Sequence, residues 1–215
     1  MILKRIKLEL PYVGETNCYI IQDEKTKETI VIDPGGEVNK IGEMLETLHA
    51  NVKYIVLTHC HGDHIAGVQE LKQKYGGKVL IHIDDEPGLK NIDINLSSHI
   101  GIGNVTIDNT SRLNDDDLIH VGDLEFKIIH TPGHTCGSIS VYLEQEKLLF
   151  SGDTIFRGSW GRTDLPTSSF TEIIDSITDK IMKLPGDTIV YPGHGKSTII
   201  QEEEPIYLEL KPKEY

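Results

Sequence analysis

The chain has few cysteines. Cys18, Cys60 and Cys136 are the only three among 215 residues, their spacing is irregular and their number is odd. That excludes a disulfide framework and fits a reducing compartment, so the cytoplasm is the expected location. Long apolar runs are also missing. Nothing approaches the roughly 18 residues of a membrane span. Met1–Leu10 alternates Ile2, Leu3, Ile6, Leu8 and Leu10 with Lys4, Arg5 and Lys7, a strand pattern without the apolar stretch or cleavage site of a signal peptide. Positive charge is scarce: 21 Lys and Arg stand against 34 Asp and Glu, a formal charge of −13. Nucleic acid is therefore excluded as the expected partner, because phosphate backbones are bound by clustered Lys and Arg. No linker, repeat or low-complexity tract interrupts residues 1–215, which read as a single domain.

Histidine, by contrast, is concentrated. Thr58-His59-Cys60-His61-Gly62-Asp63-His64 holds three imidazoles and a carboxylate, although the whole chain has only 10 His. The segment follows the strand-like Tyr54-Ile55-Val56-Leu57, so these groups sit on a loop at a strand's C-terminal end, where α/β proteins gather their sites. Imidazole with carboxylate is a ligand set for zinc, non-haem iron or manganese. Four adjacent ligands exceed what one metal with an open position needs, so two metals are expected.

Three downstream segments repeat the arrangement, each with one ligand in a glycine-containing turn after a strand-like run: Thr131-Pro132-Gly133-His134-Thr135, Ser151-Gly152-Asp153-Thr154 and Tyr191-Pro192-Gly193-His194-Gly195. Any one alone reads as a surface turn. All four in order do not.

The order HxHxDH, GHT, GDT, PGHG resembles the metallo-β-lactamase superfamily over nearly the whole chain, and Asp33-Pro34-Gly35-Gly36 fits as well. Gly152-Asp153-Thr154-Ile155-Phe156 followed by Gly161-Arg162-Thr163-Asp164 is similar to the short, single-domain glyoxalase II (hydroxyacylglutathione hydrolase) group. The resemblance implies an αββα four-layer sandwich with the site at one edge between the sheets. It also implies metal ligation by His59, His61, Asp63, His64, His134, Asp153 and His194.

The residues themselves agree. His59 and His61 lie two apart in extended backbone and point to one side, so with His134 they make a three-histidine site. Asp63, His64 and His194 suit a second metal, and Asp153 has two oxygens to share as a bridge. Gly62 is expected to permit the turn between the two ligand pairs. Two divalent ions, zinc first and iron or manganese as alternatives, would lower the pKa of a shared water from 15.7 toward about 7. The resulting hydroxide would attack an acyl carbonyl, with Asp63 orienting it; the resemblance implies that the substrate is a small acyl thioester, 2-hydroxyacyl-glutathione or one of a related thiol, whose thiolate leaves without general-acid help.

Arg157, Arg162 and Lys196 flank the metal loops as contacts for an anionic substrate tail, with Trp160 and Ser197 beside them. Arg162 has an ion pair with Asp164 as its structural reading. Cys60 and Cys136 read as packed thiols, Thr58 as a support for the loop or a ligand imidazole, and His130 as structural. His49, His82, His99 and His120 match no motif. Long glyoxalase II proteins carry a basic C-terminal extension that grips glutathione. This chain ends at Tyr215 after the acidic Gln201–Pro205, so another small thiol is an alternative leaving group.

The competing activity is that of the persulfide dioxygenases, which also resemble this chain and use one iron held by two His and one Asp. A β-lactamase is disfavoured because many zinc β-lactamases place Cys where Asp153 stands. A nuclease is disfavoured by charge, and a binding module by the intact ligand set.

Periodicity places strands at Ile2–Leu10, Cys18–Gln22, Thr29–Ile32, Tyr54–Leu57, Lys78–His82, Leu124–Ile129, Ile139–Leu143, Leu148–Phe150 and Thr188–Val190. Helices are expected from Val38 to Leu48, from Gly67 to Tyr75 ending at Gly76-Gly77, and from Phe170 to Lys183, the last opened by a Ser169–Glu172 capping box. Asn91–Asn109 reads as an ordinary surface loop rather than a lid.

Overall fold

The computed structural model describes residues 1–208. In chain order the elements are β1 (Ile2–Leu10), β2 (Gly14–Gln22), β3 (Glu28–Ile32), α1 (Val38–Thr47), β4 (Asn51–Val56), α2 (Gly62–Ile65), α3 (Val68–Tyr75), β5 (Lys78–His82), β6 (Ser111–Leu113), β7 (Leu118–Val121), β8 (Leu124–His130), β9 (Ile139–Leu143), β10 (Leu148–Gly152), β11 (Ile155–Phe156), β12 (Ser159–Trp160), α4 (Phe170–Asp175), β13 (Ile189–Pro192), β14 (Thr198–Ile199) and α5 (Ile200–Leu208). One six-stranded sheet has the order β1-β2-β3-β4-β5-β6, the other β14-β13-β10-β9-β8-β7, and β11-β12 is a separate hairpin.

The period-2 alternation of each strand builds the layers. In β2, Cys18 and Ile20 face one core while Tyr19 and Ile21 face another; in β3, Val31 joins the first, and Ile30 and Ile32 the second. The first core lies under α1 and α3, with Val38, Ile41, Leu45, Val68 and Leu71. The second lies between the sheets, where Phe126, Ile128, Val141, Leu148 and Phe150 of the second sheet meet it. The third, with Ile129 and Leu149 pointing away from that interface, is covered by Ile173, Ile174, Ile177, Ile181 and Tyr207. Helix, sheet, sheet, helix is the expected four-layer sandwich.

Two expectations about helices need correction. From Phe170 only Phe170–Asp175 is α-helical. A π-helical turn over Ser176–Lys180 and a tight 3₁₀ turn over Ile181–Lys183 follow. The altered pitch keeps Ile177 and Ile181 buried in the third core, and Thr178 Oγ1 donates to the Ile174 carbonyl. Only half of the expected capping box forms: Ser169 Oγ accepts the Glu172 N–H, while the Ser169 N–H donates to the Gly133 carbonyl at 2.8 Å instead of to the Glu172 side chain. The acidic 201–205 segment is not a tail. It lies in α5, where Glu203 is buried and accepts from Thr198 Oγ1 and the Gly158 N–H. The Asn91–Asn109 loop is anchored rather than simply superficial: Asn95, Ser97 and Ile107 are buried, and the Asn95 carbonyl accepts the Gly62 N–H at 2.7 Å. No helix among the described residues is long and apolar enough to cross a membrane.

Candidate metal centre

Strand direction assembles the site. In the second sheet β10 runs parallel to β13 and antiparallel to β9, which is antiparallel to β8, so β8, β10 and β13 all end at the same edge. His134, Asp153 and His194 sit in the turns just beyond those ends. The first sheet adds the 58–64 loop beyond β4. The edges are joined directly: the Ile139 N–H donates to the Thr58 carbonyl at 2.8 Å and the Asn17 N–H to the Gly193 carbonyl at 2.7 Å. His61 is extended, at φ −65° and ψ 146°, and Asp63 and His64 occupy the short helix α2 that follows it. That break from extended to helical backbone turns the second ligand pair away from the first. Gly62 is needed for space rather than for its turn: a Cβ there would lie 2.8 Å from Ser97 Cα.

The seven sequence-selected ligands come together. His59, His61 and His134 form one group whose ligand atoms lie within 4.8 Å of one another; Asp63, His64 and His194 form another, and His59, His64 and Asp153 a third that overlaps both. Asp153 spans them. Its Oδ1 lies 3.5 Å from His64 Nε2, and its Oδ2 lies 3.5 Å from His134 Nε2 and 3.3 Å from His194 Nε2. Asp63 Oδ2 faces His194 Nε2 at 3.2 Å and accepts from Thr16 Oγ1 at 3.4 Å.

Four histidines are tethered from behind. The His64 Nδ1–H donates to Asp33 Oδ2 at 2.9 Å, that of His134 to the Arg162 carbonyl at 2.9 Å and that of His194 to the Glu15 carbonyl at 2.8 Å. Thr58 Oγ1 gives its hydrogen to Asp33 Oδ2 at 2.6 Å, so it accepts from His59 Nδ1 at 3.1 Å. Each of these rings therefore keeps an Nε2 lone pair aimed at the centre, the arrangement that metal-binding imidazoles adopt. His61 differs, its Nδ1 facing His134 Nε2 at 2.9 Å.

The donor set fits cations. His59 Nε2, His61 Nε2, His64 Nε2 and Asp153 Oδ1 are buried without a hydrogen-bond partner, which costs about 1–3 kcal/mol per group unless a ligand satisfies it. The electrostatics say the same. Burial pulls the His194 imidazole down, but the Asp153 and Asp63 carboxylates push it up to about 11; His64 is likewise pulled down by burial and pushed to about 9 by Asp63, Asp153 and Asp33. Burial and the neighbouring His134 hold His61 down to about 3. The carboxylates thus favour positive charge at this centre.

A cavity of about 380 Å³ opens on this centre, walled by Tyr12, Val13, Leu96, Ile100, Phe156 and Trp160. Arg162 also lines it, but its guanidinium is held by Asp164 at 2.9 and 2.8 Å, the ion pair expected from sequence. Arg157 and Lys196, the other two selected substrate contacts, do not line it. Arg157 occupies the exposed turn between β11 and β12, and Lys196 is exposed beyond Gly195.

Among the remaining residues, Cys60 is buried in the first core, as expected. Cys136 is only partly buried, although Thr135, Gly137 and Ser138 beside it are buried, and its Sγ lies 3.4 Å from the Asp84 carbonyl. The His130 Nε2–H donates to the Cys136 carbonyl at 2.9 Å, and the ring stacks on His82 at 4.0 Å and 12°. With Asp84 these two could approach an ion, but their parallel rings do not converge on one point. Two carboxylates outside the ligand set went unassigned in the sequence. Asp33 was visible only as part of its Asp-Pro-Gly-Gly turn, and it holds Thr58 and His64. Asp85 lies beyond β5 in a loop with neither His nor an adjacent glycine to mark it, and it accepts from the Cys60 N–H, Thr135 Oγ1 and the Gly137 N–H.

Comparison with known proteins agrees with this geometry. Hydroxyacylglutathione hydrolase GloC of Haemophilus influenzae is 32% identical over 192 residues, 88% of this chain and 90% of that protein. The crystal structure of the BLEG-1 B3 metallo-β-lactamase superposes with a TM-score of 0.86 at 34% identity, covering 95% of this chain and 97% of that one. TTHA1623 in a di-iron-bound form superposes with a TM-score of 0.83 at 30% identity, covering 94% and 96%. The sequence profile of the Metallo-beta-lactamase superfamily matches residues 11–194, and the chain belongs to that superfamily.

Proposed function

We propose that residues 1–215 form one catalytic domain that hydrolyses small acyl thioesters with two divalent metal ions, zinc first among the candidates. The observation that carries this reading is the set of outward-tethered imidazoles, whose Nε2 atoms converge with two carboxylates that no Lys or Arg neutralises. His59, His61 and His134 would hold one ion and Asp63, His64 and His194 the other, with Asp153 lying between the two groups. When bound, such a pair acidifies a water and polarises an acyl carbonyl.

The chain's own residues do the rest. Asp63, fixed by Thr16 and facing His194, orients the attacking oxygen. The apolar walls of the cavity seat the uncharged thioester and exclude bulk water. No general acid is required, because a thiolate is a good leaving group. The name of the Haemophilus influenzae relative supports a 2-hydroxyacyl thioester of glutathione or a related thiol. Arg162 is already occupied by Asp164, which favours tolerance of the thiol. The three unpaired cysteines favour action in the cytoplasm.

The test is a metal count on reconstituted protein together with turnover of a lactoyl thioester. Close to two ions per chain with hydrolysis is expected. Saturation at one iron with persulfide-dependent oxygen uptake would overturn the reading in favour of a dioxygenase.

A further inference from the structure

We propose that Asp85 is a positioning residue that clamps together the two loops of the three-histidine subsite and thereby sets that subsite's metal affinity. The inference rests on the two-metal reading above. Asp85 is 1% exposed and touches no ligand imidazole in any hydrogen bond. Its Oδ2 accepts two bonds at once: the Cys60 N–H at 2.8 Å, between His59 and His61, and Thr135 Oγ1 at 2.8 Å, next to His134. Its Oδ1 accepts the Gly137 N–H at 2.7 Å, further along the His134 turn. One carboxylate from a third loop thus spans two segments that are far apart in sequence, and all three ligands of this subsite lie within one residue of a group it holds. Gly137 packs directly against Asp85: a Cβ there would lie 2.7 Å from Asp85 Oδ1.

The other subsite has a counterpart. Asp33 bonds the Thr58 N–H at 2.8 Å, Thr58 Oγ1 and His64 Nδ1. Asp33 therefore holds His64 of the second group directly and His59 of the first through Thr58, whereas Asp85 holds only loops of the three-histidine group. An amide cannot replace Asp85. Asparagine offers one acceptor oxygen and an NH₂, and every partner of Asp85 is a donor, so Asp85→Asn sets donor against donor and loosens one loop from the other.

Each subsite is isolated by removing a ligand of the other. His194→Ala leaves the three-histidine group intact, and His134→Ala leaves the second group. Zinc is titrated into each metal-free background against a chromophoric chelator, with and without Asp85→Asn. The expected result is a tenfold to hundredfold affinity loss in the His194→Ala background, about the range for outer-sphere partners of metal ligands, and a change below about threefold in the His134→Ala background. Thr135→Val, which removes one of the three bonds, should give a smaller loss in the same background and little additional loss on top of Asp85→Asn. It carries the test if Asp85→Asn does not fold. Equal losses in both backgrounds, or a lowered thermal midpoint of the metal-free protein with zinc affinity unchanged, would show that Asp85 only holds the fold and would overturn the inference. If neither single-subsite background binds one zinc, the two-metal reading itself fails.

Discussion

The two glycines that flank His194 make opposite predictions. Gly193 lies against the centre. An alanine methyl there would overlap Asp153 Oδ1 outright and lie 2.7 Å from His64 Cε1, and the Gly193 backbone is pinned on both sides by its N–H to the Gly152 carbonyl at 2.8 Å and its carbonyl to the Asn17 N–H at 2.7 Å. Ordinary van der Waals contact begins near 3.4 Å, so His64 alone must retreat by about 0.7 Å, and Asp153 by more. Functional groups tolerate about 0.5 Å of misplacement, and a shift near 1 Å can cost about a hundredfold in rate. The overpacking itself costs about 1–3 kcal/mol, a Tm loss of roughly 2–12 °C for a chain of this size. Gly195 faces open space but has φ +75°, so Gly195→Ala should cost about 1–2 kcal/mol of backbone strain and leave the centre alone. Metal analysis, kcat/KM and thermal unfolding with and without chelator separate the two variants. Gly193→Ala should lose at least one ion and about a hundredfold in kcat/KM, whereas Gly195→Ala should keep both ions. A fully metallated Gly193→Ala with wild-type kcat/KM would refute the placement of Asp153 and His64 at one shared centre.

Asp153→Ala should lose metal and activity together by elemental analysis, because its oxygens face both histidine groups, whereas His130→Ala should keep both ions. Lactoyl thioesters of glutathione and of a truncated thiol should differ by less than about tenfold in kcat/KM, equivalent to about 1.4 kcal/mol of transition-state binding; a thousandfold difference would reveal a dedicated glutathione site. Asp23 accepts the Thr26, Asp123 and Lys25 N–H groups, the Thr26 bond foremost, and these hold its carboxyl down to about 2 from an ordinary 3.8. Its folded pKa is depressed, so its contribution is full above the unfolded value and lost as pH falls through the folded one. The Tm gap between wild type and Asp23→Asn should therefore narrow as pH drops from 3.8 toward about 2, and a gap independent of pH would exclude the carboxylate's charge as its source.

The clustering of the seven His and Asp residues was legible in the sequence because they stand in short, glycine-containing turns, and the long strands because their alternation serves two cores at once. What escaped notice has physical reasons too. The short strands β6, β14 and the β11-β12 hairpin span too few residues to show a period. In α5, Pro205 and the run of glutamates hide the buried Glu203 and Tyr207, which a helical face makes visible only once α5 is seen against the third core. Ser176–Lys180 keeps a spacing that suits an α-helix and a π-turn equally until the turn is built. Arg157 and Lys196 were selected for nearness in sequence to the metal loops, and tight turns separate that nearness from nearness in space.

Asp33 and Asp85 were the harder omission, since an aspartate that binds metal and one that supports it look alike in sequence. Their donors tell them apart. A buried carboxylate must be met by hydrogen-bond donors or by positive charge. Asp33 and Asp85 each receive a backbone N–H at 2.8 Å or less and a threonine hydroxyl, so their charge is answered by the fold. Asp63 and Asp153 receive no backbone N–H among the described residues, and neither lies within 4.0 Å of a Lys or Arg nitrogen; their neighbours are imidazoles and, for Asp63, the Thr16 hydroxyl. Those imidazoles have committed their Nδ1–H groups to the protein behind them and turn their Nε2 atoms to the same carboxylates. A bare nitrogen facing a carboxylate is repulsive unless a proton or a cation stands between them. Two acids that no Lys or Arg answers, ringed by imidazoles, favour positive charge at this centre, and the supporting pair holds the loops around it.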